Sequence, residues 1–213
     1  MPRSRLALIL IALLALAGPA QAHPHVEVQT AVELVHDERG QVVALRHAWT
    51  FDELYSSFAT QGLDANRDGV FSREELAELT RVNVEHLGQQ RFFTVMRHDR
   101  RHVSFAEVRD AWSEVVNGRL VLHFTVPLAT PFRAGGRPLT LQVYDPDYFV
   151  AFVPADGEPL RLVAAPQGCR LDYAPPRGGD RPASTLSESF FQALGPGANF
   201  GQQFAGLFTV TCP

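Results

Sequence analysis

Residues 64–75 read Asp64-Ala65-Asn66-Arg67-Asp68-Gly69-Val70-Phe71-Ser72-Arg73-Glu74-Glu75. This stretch matches the twelve-residue calcium loop of an EF-hand at each diagnostic place. Side-chain oxygens fall at loop positions 1, 3 and 5 (Asp64, Asn66 and Asp68), and Gly69 stands at position 6, where the chain must turn sharply. Val70 at position 7 offers its backbone carbonyl, and Ser72 at position 9 a hydroxyl acting directly or through water. Glu75 at position 12 supplies the bidentate carboxylate. A hard cation such as Ca²⁺ gathers many oxygens, and a tight loop delivers them from few residues. The plain alternative is a surface turn rich in Asp, Asn and Gly that holds no ion.

The flanks read as helices. Upstream, Phe51, Leu54, Tyr55 and Phe58 recur at helical spacing, and Thr50 with Glu53 has the spacing of a capping box. Downstream, Ser72 and Glu75 repeat that spacing, and Leu76, Leu79 and Val82 fall on one face of an exit helix. The pattern predicts an EF-hand-like helix–loop–helix over residues 51–88.

Around this insert the chain alternates like a sheet protein. Val26, Val28, Val32 and Leu34 alternate with polar residues, as do Val43, Leu45 and Trp49 on a return strand. A four-residue turn at Asp37-Glu38-Arg39-Gly40 predicts His36 opposite Gln41, Val28 opposite Trp49, Val32 opposite Leu45 and His47 opposite Thr30. The same register puts His25 across from Asp52. A second hairpin is expected at 92–105 around Asp99-Arg100, and a third at 108–127 around the type I′ signal Asn117-Gly118. The third sets Trp112 opposite His123. Strands are further expected at 139–144 and 148–153, joined by Asp145-Pro146-Asp147, and at 160–163, 169–173 and 207–212. Residues 174–184 read as an exposed loop, 186–194 as a short helix and 200–204 as a helical turn. The fold class is α+β: β-rich, built of hairpins and sandwich-like, with the inserted helix–loop–helix and a short C-terminal helix.

Arg3 and Arg5, the apolar run Leu6 to Ala17 and the small-residue site Ala20-Gln21-Ala22 form a signal-peptide pattern over 1–22. The run is too short to span a bilayer, and no later stretch is longer. The expectation is therefore an exported, periplasmic domain over 23–213, not membrane-spanning once the signal is cut. Loss of the two arginines takes the formal charge from −4 to −6, which argues against nucleic acid and suits cations. There is no lysine in the chain, so Schiff-base and lysine general-base chemistry are excluded. The two cysteines, Cys169 and Cys212, read as a disulfide in an oxidising compartment. Two free thiols serving a soft metal are the rival, without the close spacing such sites show.

Eight histidines are present, most with ordinary readings. His36, His98 and His102 lie near turns, where solvation is expected; His86 favours a helix C-terminus. His123 beside Trp112 reads as a packed sheet histidine, and His47 as a satisfied core residue. His23 and His25 differ, because cutting after Ala22 would give His23 a free α-amine beside its imidazole. With His25, and with Asp52 across the hairpin, that set suits Zn(II), Ni(II), Co(II) or Cu(II). A frayed terminus with two loose histidines is the plain alternative. Tyr144-Asp145-Pro146-Asp147-Tyr148 offers carboxylates to a metal, or simply turn chemistry. No nucleophile elbow, phosphate-binding glycine loop or zinc-protease helix occurs.

Ala22-His23-Pro24-His25-Val26, Trp49-Thr50-Phe51-Asp52-Glu53, the 64–75 loop, Tyr144-Asp145-Pro146 and the closing Asn199-Phe200-Gly201 to Cys212-Pro213 together resemble one bacterial family, domain of unknown function 1007. That family is described as a periplasmic component-like protein of an uncharacterised ABC-type transport system. The resemblance covers essentially the whole of 23–213 and implies a role beside nickel, cobalt or zinc permeases. It brings no established catalytic or binding residues. The expected function is an exported, non-enzymatic, metal-binding accessory protein of a transition-metal transport system, with a structural calcium loop and a membrane metal permease as partner. Two alternatives stand beside it: a purely structural, calcium-stabilised envelope protein, and a copper enzyme using the N-terminal histidine.

Overall fold

Valine-rich alternation makes the first two strands the spine of the fold. The computed structural model describes residues 24–177, 193 and 198–213. The signal-like segment, His23 and the expected helix at 186–194, Ala193 apart, lie outside the described residues. β1 (Val26–His36) and β2 (Val42–Phe51) pair antiparallel, with Val28, Thr30, Val32, Leu34, Leu45, His47, Trp49 and Phe51 turned to the interior. α1 (Glu53–Ala59) follows, then the 64–75 loop, α2 (Ala77–Gln89) and a short 3₁₀ turn. β3 (Thr94–His98) and β4 (Arg101–His102) come next, then β5 (Arg109–Val116) and β6 (Arg119–Phe132). β7 (Leu139–Val143), β8 (Val150–Pro154), β9 (Leu160–Val163), β10 (Arg170–Ala174), a 3₁₀ turn at Phe200–Phe204 and β11 (Leu207–Thr211) complete the order.

The strands form two sheets. One runs β5-β6-β2-β1, with β8 and β9 both parallel to β1 along successive parts of its length. The other runs β10-β11-β7-β3-β4 and is antiparallel throughout. Both give side chains to one apolar core: Val28, Leu45, Trp49, Leu122 and Phe124 from the first, Met96, Leu139, Leu141 and Val210 from the second. The expected β-rich, two-layer α+β architecture is what the chain adopts.

The β1–β2 register differs from expectation by two residues. Val28 faces Phe51, Thr30 faces Trp49, Val32 faces His47 and Leu34 faces Leu45. Asp37 closes the turn with Gln41, its carboxylate accepting from the amides of Arg39 and Gln41, and a bulge follows at Val35/His36. Each of those features advances the pairing by one residue. Because side chains alternate with period two, a shift of two keeps Val28, Val32, Leu34, Leu45 and Trp49 on the inner face and changes only their partners, whereas Val43, expected there too, falls in the bulge and gives its core place to Val42. The bulge also lets Val42 and Leu45 both be buried.

Other expectations hold with local changes. Asn117 and Gly118 both take positive φ (51° and 76°), and the hairpin they close pairs Trp112 with His123. Strands β7 and β8, expected in succession, belong to different sheets. The 144–149 turn carries the chain from one sheet to the other, and buried Asp145 organises it by accepting from the amides of Asp147, Phe149 and Val150. Turn chemistry thus accounts for that acid. Gly201 packs on the same turn, its amide bonding the Pro146 carbonyl, and a Cβ there would fall on the Asp145 carbonyl oxygen. Cys169 and Cys212 form a disulfide just outside the Arg170–Thr211 pair of β10 and β11.

Candidate metal site

The 64–75 loop closes on itself. Asp64 accepts from the amides of Asp68 (3.2 Å) and Gly69 (3.0 Å), Asp68 from that of Val70 (2.7 Å), and Asn66 from that of Asp68 (2.9 Å). From the far end, Glu75 accepts from the amides of Ala65 (2.8 Å) and Ser72 (2.9 Å). The first and last acids are thereby folded back onto the same short backbone. Gly69 has φ of 79°, the left-handed conformation glycine adopts without a steric penalty. Hydrogen bonds from the Ser72 backbone and hydroxyl, and from Ala65, hold the Glu75 carboxyl below the usual carboxylate range. The Glu75 amide also donates to the Ser72 hydroxyl (3.3 Å), completing the reciprocal capping bonds expected between this pair.

The donor set is all oxygen, the chemistry a hard cation takes. Each carboxylate retains acceptor capacity beyond its present bonds. Among the described residues, no three His, Cys, Asp or Glu side chains converge closely enough to form a ready-made metal cluster.

Both helices flanking the loop depart from expectation: α2 starts only at Ala77, with Leu76 as an N-cap that has no side-chain bond, so the Ser72–Glu75 pair closes the loop ahead of it. Phe51 ends β2, and Asp52, not Thr50, caps α1, with Tyr55 donating its amide to Asp52 Oδ1 at 2.8 Å. Thr50 instead pairs with Gln29 in the sheet. Leu54 and Phe58 stand 81% and 75% exposed, so of the expected apolar face only Phe51 and Tyr55 pack, stacked at 4.7 Å. Downstream, Leu76 is fully buried and Thr80 donates to Ser113 at 2.7 Å, fastening α2 to β5. Arg73, at loop position 10, lies 3.9 Å over the Trp112 ring. Sequence reading missed that contact; an arginine in an exposed loop carries no signal of its target.

The expected pairing of His25 with Asp52 does not form. The two-residue register change puts Glu27 opposite Asp52, whose amide bonds the Glu27 carbonyl and whose Oδ2 accepts from the Glu27 amide at 2.8 Å. Asp52 thus acts as a double cap between strand and helix. His25 stacks on Phe149 at 5.8 Å, and its amide bonds the Phe149 carbonyl.

Of the remaining histidines, His47 and His123 take the core and packed-sheet places their sequence positions suggest, whereas His36 and His98 do not. His36 is buried, not solvated, with Nδ1 3.2 Å from the Val163 carbonyl. His98 stacks on Phe132 at 4.5 Å. His47 is buried, receives the Trp49 indole N–H at 3.3 Å and stacks on Phe124; burial pushes its pKa down to about 3. His123 stacks on Trp112 at 3.9 Å, and its Nε2 lies 3.0 Å from Glu114.

Fold and loop together define a class: a two-sheet, β-rich α+β protein with a helix–loop–helix set between β2 and β3. The chain belongs to the family described as protein of unknown function DUF1007, which matches residues 8–212. It is similar to an uncharacterized protein of Haemophilus influenzae, 23% identical over 195 residues that cover 90% of this chain and 91% of the relative. Among the described residues no helix is long and apolar enough to cross a membrane.

Proposed function

We propose that this is an exported, non-enzymatic metal-binding accessory protein of a transition-metal transport system, with Asp64, Asn66, Asp68, Val70, Ser72 and Glu75 as a calcium loop. The observation that carries the reading is the closed loop, in which Asp64 and Glu75, at opposite ends, both accept amides of the loop's own backbone. Calcium there would join the two ends through its own coordination, at lower entropic cost than in an open loop. A lone hand binds weakly, with Kd roughly in the 10⁻⁵ to 10⁻³ M range. Export is supported by the 1–22 pattern and by the disulfide, which persists in oxidising compartments. The transport role and the permease partner rest on the family resemblance. His23 and His25 are the proposed ligands for Zn²⁺, Ni²⁺, Co²⁺ or Cu²⁺. Asp52, the third candidate, lies opposite Glu27 rather than His25 and caps two backbone amides, so it would join them only through the acceptor capacity its oxygens retain.

A second reading, calcium as a purely structural brace, is favoured by the anchoring of α2 through Leu76 and the Thr80–Ser113 bond. Two measurements separate the possibilities. Calcium should raise the Tm of wild type, because an ion bound only by the folded state stabilises it, and Glu75→Gln should abolish most of that gain. Equal responses in the two would sink the calcium loop. Elemental analysis of untagged protein from the periplasm should find a transition metal that is lost in His25→Ala and when one residue is added before His23. Calcium alone would leave the structural brace.

A further inference from the structure

The outer face of the six-stranded sheet has a gap in it. Register sets Trp112, His123, Ala48 and Ala31 in one transverse row. The next row on that face runs Thr125, Arg46, Glu33 and Arg161. Neighbouring strands lie about 4.8 Å apart and side chains stand roughly perpendicular to the sheet. Two adjacent alanines therefore leave an opening roughly two strands wide. A depression of about 680 Å³ lies there, large enough for a small molecule.

The walls have definite chemistry. His123 stacks nearly parallel on Trp112 (3.9 Å, 12°), so its other face turns toward Ala48; the Glu114 contact fixes the ring. Glu33 accepts from Arg46 at 2.7 Å and pairs also with Arg161, a trio with one net positive charge and guanidinium N–H groups to spare. Glu158 lines the same depression and acts on Arg161 through its charge, and Asp110, displaced by a bulge in β5, stands at the opposite margin. An anion alone would meet these two acids, and a cation alone the guanidiniums. A ligand bearing both charges satisfies both.

We propose that this slot binds a free α-amino acid with a flat side chain. Its carboxylate lies on Arg46 and Arg161, its ammonium faces Glu158, and its ring rests over Ala31 and Ala48 against His123. The site uses no residue of the 64–75 loop and stands or falls independently of the metal reading. Calorimetric titration with L-phenylalanine and L-histidine tests it, against L-alanine, N-acetyl-L-phenylalanine and L-phenylalaninamide. Ala48→Leu and Ala31→Leu fill the floor from the outer face, where a larger side chain does not disturb the core, and circular dichroism verifies their fold. Saturable one-site binding of phenylalanine or histidine is expected. It should weaken at least tenfold in either filled variant, in Arg161→Gln, on loss of either ligand charge, and with alanine. No saturable binding of either amino acid, unchanged affinity in both filled variants, or equal binding of the capped derivatives would overturn the proposal.

Discussion

His47 shows how one residue couples the core to pH. It lies between Trp49 and Phe124 with Nδ1 accepting from the indole, so Nε2 carries the proton and finds no acceptor among the described residues. Its folded pKa of about 3 is depressed from 6.5. The stability tied to its neutral form is therefore fully present above pH 6.5 and is lost as pH falls from 6.5 toward 3. Between pH 7 and pH 5 the loss from this residue is about 2 kcal/mol. Urea denaturation across that interval should show the decline in wild type and a correspondingly shallower one in His47→Phe. That variant also leaves the Trp49 N–H unpaired, a cost that does not vary with pH. Identical slopes would refute the assignment. The sequence showed that His47 faced inward, because side-chain parity survives a two-residue slip. It did not show that Val32, not Thr30, is its partner.

At the scale of elements, the junction between β2 and α1 depends on Asp52. One oxygen caps Tyr55 and the other holds the Glu27 amide, so strand end, helix start and the edge of β1 meet in one carboxylate. Asp52→Ala should destabilise the protein by about 1–2 kcal/mol, with Asp52→Asn losing less because one acceptor remains. Chemical denaturation checks this, and an unchanged midpoint in Asp52→Ala would contradict it. Elements were legible where local chemistry fixes them. Asn117-Gly118 set its turn and with it the Trp112–His123 pair, and the capping spacing of Ser72 and Glu75 was met. They were illegible where a distant partner decides. The bulge beside His36 moved the first hairpin, and with it the supposed neighbour of His25. The parallel pairing of β8 and β9 with β1 leaves no mark in either strand's own sequence. Leu54 and Phe58 carry the spacing of a packed face yet are exposed, since periodicity states which side is apolar and not whether anything covers it.

Across the whole molecule, the disulfide fastens the last strand. It closes a separation of 43 residues, a constraint worth about 4 kcal/mol in the chain-entropy model. Reduction should lower the Tm and raise the mass by about 2 Da, two hydrogens per bridge. Alkylation of unreduced, denatured protein should label neither sulfur; full labelling would exclude the bridge. The closing segment has a second fixed point at Gly201, seated against the turn that carries the chain between sheets. Gly201→Ala should therefore displace that turn and lower the Tm by several degrees, a greater change than the same substitution at Gly88 in α2, where a Cβ would meet only the Phe92 ring at an ordinary 3.8 Å.

The arginine that leaves the loop to rest on Trp112 gives the molecule an optical reporter of its own. The chain has two tryptophans, and Trp49 is sealed in the core while Trp112 is half-buried under a guanidinium supplied by loop position 10. Any rearrangement of the loop moves a cation across the face of an indole, and indole emission responds to nearby charge. Subtracting the spectrum of Trp112→Phe from that of wild type isolates this emitter without touching the core. Addition of calcium should change the difference spectrum in a saturable way, and Arg73→Ala should abolish the change while leaving the calcium-induced rise in Tm. A signal that persists without Arg73 would mean that the loop reaches the sheet by another route.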